Sequence, residues 1–180
     1  TSAIDIGQCL GARIIATGGD DTKLEAVGRH YGVEHLVNYD TDPDWKDRVK
    51  ALTDDRGADV ICDPVGGDVF DKSLRCINWQ GRLLVVGFAS GTIPKARANL
   101  VLLKGCSIVG VFWGAYVTRD PAGNRANFDQ LFSWLSEGRL RPLIARSFPL
   151  AEAAEALGMI ERRAAVGKII LTTDRYAPTA

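Results

Sequence analysis

The chain has 180 residues, 46% of them hydrophobic and 24% charged, an ordinary globular composition and enough length to bury the core of one domain. Lys+Arg and Asp+Glu both number 22, so the formal net charge is zero and nothing electrostatic points to DNA or RNA as a main partner. No apolar run reaches the ~18 residues of a membrane span, so no membrane partner is expected, and the first residues lack the basic, apolar, small-residue order of a signal peptide. Cys9, Cys62, Cys76 and Cys106 form no CxxC pair, and His30 and His35 do not cluster with them. Neither a disulfide framework nor a metal site is expected, and a reduced, cytoplasmic compartment fits best.

Taken in chain order, the sequence alternates helical and strand patterns. Ala3, Ile4, Gly7 and Leu10 fall on one helical face, and Gly11 is placed to end that helix. "ARIIAT" is a continuous apolar run, as in a parallel strand buried on both faces. After Gly18-Gly19 the spacing predicts a helix over 21–31, stopping near Gly32, and then the short strand "EHLVNY". Pro43 suits the first turn of a helix running to about Thr53. "ADVICDPVGG" reads as a buried strand broken by Pro64 and two glycines, and residues 68–78 read as a helix. "GRLLVVGFASG" is another strand with a glycine-containing loop. A short helix near Ala98 to Lys104 precedes the strand-like run "SIVGVFWGAY". Residues 124–137 form an amphipathic helix with Phe128, Leu131, Phe132 and Leu135 on one side. The tail holds "LIARSFPL", a helix over about 151–163, and a last strand "GKIILTT". This alternation argues for an α/β, Rossmann-like doubly wound parallel sheet.

No two of the 19 glycines stand in a GxG spacing, so the dinucleotide fingerprint GxGxxG is absent, and no P-loop lysine follows a glycine at the required spacing. "ATGG" at 16–19 ends a strand. On spacing alone it is a plain turn, with Lys23 solvated and Tyr39 at a boundary. "DPVGG" at 63–67 can be a tight strand-to-helix turn or a place where backbone approaches a ligand. Phe88 of "VVGFASG" can be a core aromatic, and Phe112 and Trp113 can be core or interface packing. No Ser/His/Asp set and no carboxylate pair at a defined spacing is present, so no catalytic residue is named.

The segments "LGARIIATGG", "VNYD", "DVICDPVGGDVFDKSLRCINWQGRLLVVGFASG", "ANLVLLKGCSIVGVFWGAY", "EGRLRPLIARSFPLAEAAEAL" and "RRAAVGKIILTT" together, in this order, resemble the quinone oxidoreductase branch of the medium-chain dehydrogenase/reductase superfamily. The resemblance runs over residues 3–173. It implies a dinucleotide-binding domain over 1–142, incomplete at its N-terminus, and a tail over 143–180 that returns to a substrate domain. It implies a zinc-independent oxidoreductase that transfers hydride from NADPH to a quinone or an α,β-unsaturated carbonyl, with this chain as the cofactor-binding part. An enoyl-thioester reductase, or a non-catalytic nucleotide-binding or assembly module, remains the alternative.

The resemblance also assigns residues. Gly18 stands where NAD-preferring relatives carry an acid for the adenosine ribose, which leaves room for a 2′-phosphate. Gly19 shares that strand end, Lys23 becomes the charge partner of the phosphate, and Tyr39 lies along the adenosine. Val65, Gly66 and Gly67 line the cofactor. Gly87, Phe88 and Ala89 wall the nicotinamide and its ribose, and Val111, Phe112 and Trp113 reach the nicotinamide amide. Asp20 and Asp21 would repel a phosphate unless they point away. A homodimer through residues 107–113 is expected, because an apolar strand at a sheet edge invites pairing. The strand that opens such a domain is central in the order 3-2-1-4-5-6. The residues at 12–17 and 58–62 would flank it, so a lone chain with an open position between them is not expected. Another chain fills it, the inner strands close and rearrange, or the sequence is part of a longer polypeptide.

Overall fold

A computed structural model describes residues 1–173. Helix α1 (Ser2–Cys9) leads into strand β1 (Ile15–Gly18). Helix α2 (Asp21–Tyr31) begins where the Asp20 carboxylate accepts a hydrogen bond from the Lys23 N–H at 2.9 Å, and it stops at Gly32. Its Leu24, Val27 and Tyr31 are buried on one face. Strand β2 (His35–Asn38) runs parallel to β1, with Ile15 opposite His35 and Gly18 opposite Asn38.

Helix α3 (Trp45–Ala51), strand β3 (Ala58–Asp63), helix α4 (Gly67–Cys76) and strand β4 (Ile77–Val85) follow, and helix α5 (Ala98–Lys104) leads to strand β5 (Ser107–Gly110). Strands β3, β4 and β5 form a parallel sheet in that order. The result is the doubly wound α/β fold predicted from the sequence. Phe70, Leu74, Ile77, Leu83 and Cys106 make the core of this half. Val37, Trp45, Val49 and Cys76 form a second cluster, against which Ile15 of β1 and Ile61 of β3 both pack, so it joins the two sheets.

Among the described residues β1 pairs only with β2, and β3 only with β4. Of the outcomes expected for the position between residues 12–17 and 58–62, closure with rearrangement of the inner strands is the one corrected. The inner strands neither close on each other nor rearrange. The shared cluster around Val37 and Trp45 holds both sheets through side chains, without a ladder between β1 and β3. The cost shows on β3, where Val60 is 46% exposed and Cys62 is exposed.

A second correction concerns residues 107–116. Only Ser107–Gly110 is strand; residues 111 and 112 link it to helix α6 (Trp113–Arg119). Short apolar runs do not distinguish strand from helix by pattern alone. Helix α7 (Pro121–Ser136) begins with Pro121 in its first turn, and the side chain of Asp120 accepts from the Gly123 N–H at 2.9 Å. Its Phe128, Phe132 and Leu135 are exposed.

The division predicted between residues 142 and 143 falls just before strand β6 (Ile144–Pro149), which pairs in parallel with strand β7 (Lys168–Thr172) across helix α8 (Ala153–Glu161). Residues 174–180 of the predicted tail lie outside the described residues. The lead-in to β6 is tied to the first two helices. The buried Asp5 carboxylate accepts from the Arg141 N–H at 2.9 and 3.1 Å, and the Tyr31 hydroxyl accepts from the Leu143 N–H at 3.2 Å. Among the described residues no helix is long and apolar enough to cross a membrane.

Leu74 is fully buried whereas Phe132 is 62% exposed. Leu74→Ala is expected to cost ~2–5 kcal/mol, and Phe132→Ser to stay within about 0.5 kcal/mol. Urea unfolding of the two variants checks this, and similar shifts in both would refute the placement of the core.

Candidate functional site

Parallel strands in register end on the same side of their sheet. Asp63 lies opposite Val85, and Val85 opposite Gly110. The predicted groups 65–67, 87–89 and 111–113 therefore leave the sheet along one edge. Asp63 organises this edge. It is buried, and its carboxylate accepts from the N–H groups of Val65 at 2.8 Å and Gly66 at 3.0 Å, while its backbone carbonyl accepts from the Val86 N–H at 2.9 Å. The next loop is laced to the first. Ala89 N–H donates to Pro64 O at 3.0 Å, Ser90 N–H to Val65 O at 3.0 Å, and Gly67 N–H to Thr92 O at 3.1 Å. Val111 N–H donates to Val85 O at 2.9 Å and ties in the third.

Gly66 has φ of 73°, and a Cβ there would stand 3.0 Å from both the Phe88 ring and the Thr92 carbonyl. Only glycine allows this loop to lie so close to its neighbour. Gly66 is buried, Val65, Gly67 and Gly87 are half-buried, and Ala89 is exposed. Phe88 is 43% exposed and Phe112 is 78% exposed, so neither is a core aromatic. Trp113, also exposed, opens α6 with its ring 6.2 Å from that of Phe128. The edge thus sets exposed aromatic rings beside a closely packed backbone turn whose Val65, Gly66, Gly67, Ala89 and Val111 N–H groups are engaged within the chain.

The remaining predicted residues come together elsewhere. Gly18, Gly19, Lys23 and Tyr39 all line one cavity of about 570 Å³, beside Thr1 and Ile4 at the start of α1. Burial above all, with the Asp40 and Asp63 carboxylates adding to it and Arg163 opposing, pushes the Tyr39 hydroxyl above its ordinary pKa. Tyr39 therefore lies within the field of both the cavity and the Asp63 edge. Asp20 is engaged as the cap of α2, and Asp21 accepts from the Asn38 amide at 2.8 Å. Each of these two carboxylates thus has a donor of its own.

Three lining residues escaped sequence reasoning. Asp40 follows Tyr39 directly. Arg162 and Arg163 arrive from the end of α8, and the Lys23 ammonium donates to the Arg163 carbonyl across 140 positions of sequence. The only signal for them was the double arginine ahead of the last strand, which by itself reads as solvated charge. Lys23 and Arg163 bring positive charge to a cavity with two side-chain-free positions, which suits a ligand that carries phosphate, while the Arg162 guanidinium lies back against Gly158. Among the described residues no three His, Cys, Asp or Glu side chains gather as a metal site.

Fold and site together define a dinucleotide-binding type of α/β protein. Residues 1–137 match the family model described as zinc-binding dehydrogenase, and the chain belongs to that family, within the quinone oxidoreductase branch of the medium-chain dehydrogenase/reductase superfamily. It is 41% identical over 97% of its length to a quinone oxidoreductase-like protein 2 homolog of Nematostella vectensis, covering 47% of that protein. It resembles the structure of a quinone oxidoreductase of Pseudomonas syringae with a TM-score of 0.80 at 26% identity, over 94% of this chain and 52% of that one. A mycobacterial protein solved in complex with NADPH is similar with a TM-score of 0.80 at 25% identity, over 93% of this chain and 52% of that one. The chain spans about half the length of the relatives it matches.

Asp63→Ala leaves two loop N–H groups without their acceptor and is expected to cost ~1–3 kcal/mol. Asp63→Asn keeps an acceptor and should recover most of that loss. Thermal unfolding checks both, and an unchanged midpoint for the alanine variant would show that the carboxylate does not hold the edge.

Proposed function

We propose that this chain is the cofactor-binding part of an NADPH-dependent, zinc-independent oxidoreductase that reduces quinones or α,β-unsaturated carbonyls. The observation that carries the reading is the grouping of the thirteen predicted residues. Gly18, Gly19, Lys23 and Tyr39 share one cavity, and the other nine follow the aligned ends of β3, β4 and β5. The quinone oxidoreductase names of its relatives and the NADPH bound by the mycobacterial protein support the choice of reaction and cofactor.

In this reading Lys23, with Arg163 beside it, holds the 2′-phosphate, and Tyr39 packs along the adenosine. Val65, Gly66 and Gly67 let the cofactor approach the backbone. Gly87, Phe88 and Ala89 exclude water from one side of the nicotinamide, and Val111, Phe112 and Trp113 fix its amide. When bound, the reduced cofactor supplies the hydride. The protein's part is to hold donor and acceptor in near-attack geometry. The groups that bind the substrate carbonyl belong to residues outside this chain, in a substrate domain to which the tail from residue 143 returns. A strand from those residues fills the position between β1 and β3. A reducing, cytoplasmic setting accords with four free thiols.

We further propose a homodimer through residues 107–113. Among the described residues β5 pairs on one side only, and Val109, Val111, Phe112 and Trp113 are exposed beside it. Sedimentation at micromolar concentration should give a dimer; a monomer, or a dimer through another surface, would refute it.

The activity is tested by NADPH oxidation with a panel of quinones and enones, using the complete protein. NADPH binding without oxidation by any of them would overturn the proposed reaction. Lys23→Ala should weaken NADPH about 10- to 150-fold, the worth of a charge-assisted bond of ~1.5–3 kcal/mol, and spare NADH. Equal weakening of both would show that Lys23 does not read the phosphate.

A further inference from the structure

We infer that Asp40 is a specificity-determining residue: its carboxylate stands beside Gly19 at a strand end that carries no acid of its own, accepts the ribose 2′-hydroxyl of NADH, and opposes the 2′-phosphate of NADPH. The inference rests on the adenosine reading of the cavity given above.

Gly18 and Gly19 bring no side chain to the cavity. Their two missing side chains point to different places. A Cβ on Gly18 would meet the buried Leu24 side chain at 3.2 Å, on the core side. A Cβ on Gly19 would collide with the Asp40 carboxylate oxygen, and would lie 2.9 Å from its carboxyl carbon and 3.1 Å from the Tyr39 ring. The Asp40 carboxylate thus occupies the space that a side chain on residue 19 would fill. An acid from the loop after β2 stands beside a strand end that carries none.

Asp40 is also the uncommitted acid of the cavity. Of the two carboxylates in the lining, Asp20 caps α2 at 2.9 Å, whereas the Asp40 carboxylate accepts no hydrogen bond among the described residues. Its position is fixed from behind, because its own N–H donates to the Asn38 side-chain oxygen at 2.9 Å. The cavity it faces is also lined by Lys23 and Arg163. The cations favour a phosphate, and the carboxylate favours a hydroxyl donor and disfavours a phosphate. With both present, the site accepts both cofactors and its preference for NADPH is held down.

The test is calorimetric titration of the complete protein with NADPH and NADH, repeated with the fragments 2′,5′-ADP and 5′-AMP. Wild type is compared with Asp40→Ala and with the near-isosteric Asp40→Asn. Asp40→Ala should tighten NADPH and 2′,5′-ADP, weaken NADH and 5′-AMP, and raise the Kd ratio of NADH to NADPH about tenfold, the effect of one hydrogen bond to a charged group. Asp40→Asn, which removes only the charge, should tighten the phosphate-bearing ligands and change the others less. A ratio that moves less than about twofold in both variants would overturn the role of Asp40 while leaving the cavity as an adenosine site. If wild type binds none of the four ligands, the adenosine reading itself falls and takes this inference with it.

Discussion

The candidate site depends on one buried carboxylate. Asp63 ends β3, and burying an ionised acid is costly unless donors satisfy it. Two backbone N–H groups do so here, those of Val65 and Gly66, and in return the chain must turn sharply enough to present them. The turn needs a positive φ at Gly66, which brings the loop against Phe88 and the 87–92 segment. Three backbone hydrogen bonds then lock the two loops together. The positions of Val65 to Gly67 and of Gly87 to Ala89 follow from the solvation needs of a single side chain. A mobile loop would have to be ordered each time a ligand bound; this edge has its ordering built into the fold.

The second half of the site depends on a different balance. Its cavity draws on α1, the β1–α2 turn, the end of β2 and the end of α8, so its charges come from distant parts of the sequence. Lys23 is anchored by the carbonyl of Arg163, which ties a cation of α2 to the segment leading into β7. The same two parts meet again at Asp5 and Arg141 and at Tyr31 and Leu143. A ligand that draws Lys23 or Arg163 toward itself acts on both parts at once.

Local signals in the sequence carried most of the fold. The spacing over 21–31 and the Gly after it bounded α2, and continuous apolar runs marked β1, β3 and β4. The run 107–116 failed because its apolar residues continue from a strand across a link into a helix with no Gly or Pro between Val111 and Trp113 to mark the change. Within the candidate site, the glycines and aromatics were assigned through the family resemblance, because their spacing alone reads as turns and packing. Arg162 and Arg163 were not, because nothing local distinguishes an arginine that faces a cavity from one that faces water. Asp40 was hidden for a subtler reason. It lies beyond β2, yet its carboxylate meets the end of β1 at Gly19, a closeness that no local sequence pattern signals.

The two halves of the site are joined without a continuous sheet. In an ordinary doubly wound domain, ladder hydrogen bonds fix the distance between neighbouring strand ends to a few tenths of an ångström, since adjacent strands lie ~4.8 Å apart. Here β1 and β3 are related through Val37, Trp45 and Cys76 and the side chains packed on them. Side-chain packing is strong in sum but less directional than a ladder. In the proposed function a dinucleotide would span both halves, and its affinity would depend on the separation of the Gly19 end from the Gly66 end. Val60 and Cys62 belong to an apolar strand suited to burial on both faces, yet both are exposed. A strand paired between β1 and β3 would bury them and set that separation by hydrogen bonds. Under the proposed function, completing the sheet and shaping the cofactor site would be one physical event.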